Sequence, residues 1–117
     1  MKTLKFFLPV AVLTLVLVAF NTPPQDEWVV PDKYVNMKNP TDPAVDANIG
    51  KALYKKHCQS CHGAEGYGDG SKAAGLKGDL GDFSSAEFQS QTDGELFYKS
   101  YFGRGDMPNY EKKIPDE

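Results

Sequence analysis

The sequence predicts an all-α chain, a small helical domain with long loops. Two stretches carry helical signatures, one after Asp46 and one after Thr92, and no run of residues reads as a buried parallel strand. A length of 117 residues suits one small domain, and 40% hydrophobic with 25% charged residues is an ordinary globular balance.

The amino terminus stands outside that domain. Lys2 and Lys5 precede Phe6 to Phe20, fifteen residues without a charge. This is the layout of an export signal, and it is short for a membrane span. Residues 1–21 are therefore expected to be a signal peptide or an uncleaved anchor, the second case anchoring the protein in the membrane through residues 6–20. Either way the protein is expected to be exported and periplasmic, soluble or membrane-held. Setting the leader aside leaves 11 basic against 16 acidic side chains, a net charge of −5 where the whole chain has −3. That balance argues against nucleic acid and anionic membrane surfaces as partners and favours proteins with a basic patch.

Residues 22–45 hold Pro23, Pro24, Pro31, Pro40 and Pro43, which forbid a continuous helix or a central strand. The segment reads as an extended linker or arm, with Trp28, Val29, Val30 and Tyr34 packing on the domain. The domain proper is expected over 46–117. Asp46 caps a helix whose Ile49, Leu53 and Tyr54 share one face and which runs into Cys58. Glycines from Gly63 to Gly81 mark an irregular loop with one short turn around Ser71 to Leu76. Thr92-Asp93-Gly94-Glu95 has the form of a capping box, and the helix it opens turns Leu96, Phe97, Tyr101 and Phe102 inward before Gly103 stops it. Pro115, Asp116 and Glu117 have the composition of a further helix start, so a carboxy-terminal helix is expected and the domain reads as truncated.

The chemistry concentrates in KKHCQSCHGAEG, residues 55–66, which contains both cysteines of the chain, Cys58 and Cys61, with His62 directly after them. Three chemistries use such a stretch. A thioredoxin-like dithiol needs a βαβ setting, which the pattern does not offer. A structural zinc site needs four ligands, and this stretch supplies three. Covalent haem needs two thiols at this spacing for the two vinyl groups on one edge of the macrocycle, and the next residue then presents its imidazole to the iron. Haem attachment is the reading the motif favours, with one haem c and its iron as the cofactor.

A second axial ligand must come from far along the chain. Met107 lies 45 residues after His62 and is followed by Pro108, while Met1 belongs to the leader and Met37 to the arm. The competing reading makes Met107 an ordinary packing residue. His57 is expected to face solvent. Tyr67, Phe83, Phe88, Phe97, Tyr98, Tyr101, Phe102 and Tyr110 are expected to pack around the haem as a group. Arg104 suits either a haem propionate or Asp106.

From Asp46 to Glu117 the sequence resembles the small soluble monohaem c-type cytochromes of class I. The resemblance rests on CQSCHG (Cys58 to Gly63), the spacing of Gly50 and Tyr54, and DMP (Asp106 to Pro108). It implies a cytochrome c-like helical domain wrapped around a covalently bound haem. Cys58 and Cys61 would carry the thioether links, and His62 and Met107 would be the axial ligands. It further implies a one-electron carrier, not an enzyme, exchanging electrons with donor and acceptor proteins of a respiratory chain. In that family a carboxy-terminal helix crosses the amino-terminal one at the position of Gly50. Two other roles use the same attachment: a cytochrome subunit of a larger membrane oxidoreductase complex, and a haem-based sensor with an open sixth position.

Overall fold

A computed structural model describes residues 27–114. The leader, the first residues of the arm and the helix start read at Pro115 to Glu117 lie outside the described residues. The order is α1 (Asp32–Val35), α2 (Pro43–His57), α3 (Gln59–His62), a 3-10 turn (Ala73–Gly75), α4 (Ala86–Gln89) and α5 (Asp93–Phe102). The described residues contain no strand, only an isolated bridge between Arg104 and Met107. The chain is all-α, as its sequence predicts.

Helix α2 begins earlier than expected. Asp42, not Asp46, is its cap: Asp42 Oδ1 accepts from the Ala44 N–H at 2.9 Å, and Asp46 Oδ2 accepts from the Asp42 N–H at 3.1 Å. Pro43, read as part of the arm, is the first helical residue. Its missing donor costs nothing there, because first-turn N–H groups have no partner within the helix. Pro31 likewise stands just before α1, a helical turn inside the arm. The prolines do break the arm, and two of them also start helices.

Helix α5 starts at the capping box read from the sequence. The Glu95 N–H donates to Thr92 Oγ1 at 3.2 Å and the Thr92 N–H to Glu95 Oε2 at 2.7 Å. Helix α1 docks on it through Tyr34, whose ring centroid lies 4.8 Å from Tyr98, 5.7 Å from Phe102 and 6.3 Å from Phe97. The backbones come so close that a Cβ on buried Gly94 would overlap the Tyr34 carbonyl oxygen. Helix α4 had no period to betray it, being a single turn capped by Ser85, whose Oγ accepts from the Phe88 N–H at 3.1 Å.

Burial is shallower than the apolar pattern suggests. No hydrophobic side chain among the described residues is fully buried. Ile49 is 56% exposed and Val29 76%, so neither packs as expected, and Phe97, Phe102 and Tyr67 are also exposed. Leu53 and Tyr54, further along α2, are half-buried. The apolar residues nearest the cysteines form a half-covered layer, not a closed core.

Candidate functional site

The end of α2 and the single turn of α3 place the three motif residues together. The Cys58 N–H donates to the Tyr54 carbonyl at 2.8 Å. The Cys61 and His62 N–H groups then both donate to the Cys58 carbonyl, at 3.1 and 3.0 Å. Cys58, Cys61 and His62 thus stand at i, i+3 and i+4 of helical backbone, positions that share one face. The turn ends at Gly63, with φ of 86°. The glycine-rich loop folds back to cover its carbonyls: Gly68 N–H on His62, Gly70 N–H on Cys61 and Lys72 N–H on Ser60, at 2.9, 3.1 and 2.8 Å. Gly70 is required by this approach, since a Cβ there would sit 2.5 Å from the carbonyl oxygens of Ser60 and Cys61.

Two tyrosine hydroxyls bracket the motif. Tyr54 donates to the Gly63 carbonyl at 2.7 Å and Tyr110 to the His57 carbonyl at 2.8 Å. His57 is consequently half-buried, its ring set edge-on to Tyr110 at 5.8 Å, where solvent exposure was expected. The His62 ring lies 4.7 Å from Phe83, which stacks on Phe88 at 4.3 Å. No sequence signal marks the role of the Tyr110 hydroxyl, because its partner is a backbone carbonyl 53 residues away.

The electrostatics separate the three chemistries. Burial pushes the Cys58 thiol up, and Cys61 adds to the shift. A thiol held protonated is the reverse of an activated redox dithiol. Among the described residues no three His, Cys, Asp or Glu side chains converge as a metal cluster, so zinc still lacks ligands. Burial pushes the His62 imidazole down, against a backbone hydrogen bond with Leu80 that raises it. The ring is therefore neutral at neutral pH, and its Nδ1 is buried without a hydrogen-bond partner. A neutral imidazole keeps a lone pair with which to ligate a metal ion. With two unpaired thiols on the same helical face, these residues fit covalently attached haem.

Met107 is half-buried in a four-residue turn, where Arg104 and Met107 exchange backbone hydrogen bonds of 3.0 and 2.9 Å. Asp106 Oδ2 accepts from the Lys77 N–H at 2.8 Å. Behind the turn, the Tyr110 and Glu111 N–H groups donate to the Tyr101 carbonyl at 3.1 and 3.2 Å. Burial raises the Tyr110 hydroxyl, and Cys58 and Cys61 raise it further. The structure therefore brings the Met107 segment to the motif through Tyr110, and no hydrogen bond joins Met107 to His62. Arg104 takes a place the sequence did not suggest: its guanidinium lies over the Trp28 ring, 4.5 Å from the centroid.

None of the curated proteins matches the chain. The family model described as "Cytochrome C oxidase, cbb3-type, subunit III" matches residues 45–117, which takes in α2 from its third residue, the cysteine-histidine turn and the Met107 turn. With that match over more than half of its length, this protein, a c-type cytochrome that acts in electron transfer, belongs to the cbb3-type subunit III family.

Proposed function

We propose that the protein carries single electrons on one haem c, bound covalently through Cys58 and Cys61 with His62 and Met107 as axial ligands, in an exported respiratory chain. The observation that carries this reading is His62, which leaves a buried, unpartnered ring nitrogen in the same turn as two unpaired thiols. When bound, the haem supplies an iron that gains or loses one electron without making or breaking a substrate bond.

The protein's own groups hold that site still. Leu80 engages the His62 ring through the backbone and orients it, and burial keeps the ring neutral. Tyr54 and Tyr110 hold the carbonyls at either end of the attachment segment. The Met107 turn presents a neutral thioether, which favours the reduced state and raises the potential. Redox donor and acceptor proteins are the partners this role requires.

The family description favours one refinement, service as the cytochrome subunit of a larger membrane oxidase, held by residues 6–20. Membrane fractionation with and without high salt separates a free carrier from an anchored subunit.

The deciding experiment is an optical spectrum of protein made in cells with a working haem-attachment system, together with a pyridine haemochrome assay. Covalent haem is expected, with the weak far-red band of methionine-ligated ferric haem. Met107→Ala should abolish the band and the low-spin form. An unchanged ferric spectrum in that variant would favour the sensor role, and absence of covalent haem would refute the proposal.

A further inference from the structure

The Met107 turn is closed by one pair of residues. Arg104 and Met107 exchange both backbone hydrogen bonds, at 3.0 and 2.9 Å, and between them stand only Gly105, at φ of 57°, and Asp106. A turn this short cannot move Met107 without moving Arg104. Arg104 is in turn covered by a residue from the far end of the described chain. Its guanidinium sits 4.5 Å from the centroid of the Trp28 ring, and the Lys99 ammonium lies over the same ring at 6.0 Å. Lys99 also donates to Gln91 Oε1. Trp28 is half-buried and is followed, six residues on, by Tyr34, the anchor of α1 on α5. The arm is thus fastened twice, at α5 by Tyr34 and at the head of the Met107 turn by Trp28.

We infer that Trp28 is a positioning residue for the distal ligand: by stacking on Arg104 it straps the Arg104–Met107 turn and restrains Met107 from leaving the iron. The inference rests on the assignment of Met107 as that ligand. It gives the arm a second role besides joining the leader to the domain. A cation over an aromatic face is favourable at both exposed and desolvated sites, and Trp is the strongest of the aromatic partners. Because the contact is spent on backbone already paired to Met107, it acts on the lifetime of the ligand bond and not on haem attachment.

The test is capture of imidazole by the full-length ferric holoprotein, followed by loss of the far-red band. Capture requires methionine to leave first, so its rate reports how often the turn opens. Trp28→Ala and Arg104→Gln should each raise the rate about fivefold, as expected for loss of a contact of this kind. Trp28→Phe keeps a ring under the guanidinium and should stay within about twofold of the wild type. In the double variant Trp28→Ala/Arg104→Gln the two increases should fall short of multiplying, because the two changes share the loss of one contact. A wild-type capture rate in Trp28→Ala, or rates that multiply in the double variant, would overturn the strap while leaving Met107 as the ligand. Absence of the far-red band in the wild type would overturn the ligand assignment and the strap with it. Should Trp28→Ala yield no folded holoprotein, Trp28→Leu, which keeps apolar bulk but removes the ring under the guanidinium, decides in its place.

Discussion

Gly94 in α5 and Gly50 in α2 are both glycines inside helices, and they are opposite cases. Gly94 is buried, with the Tyr34 carbonyl where a Cβ would go, and the reward for its missing side chain is the docking of α1. Gly50 has nothing within 4 Å of the same hypothetical atom. Its neighbours share that openness, Val45 being 72% and Ile49 56% exposed. A helical glycine costs about 1 kcal/mol relative to alanine, so a helix keeps one where something else comes close. Among the described residues that partner exists for α5 and not for the first half of α2. The second half of α2 is different again, tied down by Tyr54, Tyr110 and the turn that carries the cysteines.

Substitutions at these positions sharpen the contrast. The largest effect is expected for Gly94→Ala, which forces α1 off α5 and should destabilise the folded holoprotein by about 2–3 kcal/mol in urea titration. A neutral result would mean that α1 is not held there in solution. Tyr110→Phe removes the hydroxyl that joins the Met107 segment to α2 and should cost about 1 kcal/mol, read from the shift in thermal midpoint. Its ring contact with His57 survives, so the loss isolates the hydrogen bond. Gly50→Ala should do least, raising stability by about 0.5–1 kcal/mol through helix propensity alone. If it destabilises instead, that face of α2 is covered in the working protein, and Val45 and Ile49 belong to the same contact.

Local chemistry made some of this legible in advance. Thr92 and Glu95 are three residues apart, and their reciprocal hydrogen bonds depend on nothing else in the fold, so α5 begins where the pattern places it. Cys58, Cys61 and His62 lie on one turn for the same reason: their relation is set by the backbone between them. The start of α2 was less legible, because Asp42 and Asp46 are both competent caps. Pro43 at the first helical position decides in favour of Asp42. His57 reads as solvent-facing by its position next to Cys58, and only Tyr110, arriving from another element, half-buries it.

The sequence by itself determined the helical class, the cap and stop of α5, and the chemistry of the cysteine-histidine turn, because each depends on residues within a few positions of one another. Tertiary structure alone decided that Tyr110 bridges the Met107 segment to α2, that Leu80 meets His62, and that Trp28 covers Arg104. Those contacts join residues from 18 to 76 positions apart. No periodicity encodes such pairs, since which side chain meets which backbone group depends on how the loops between them close.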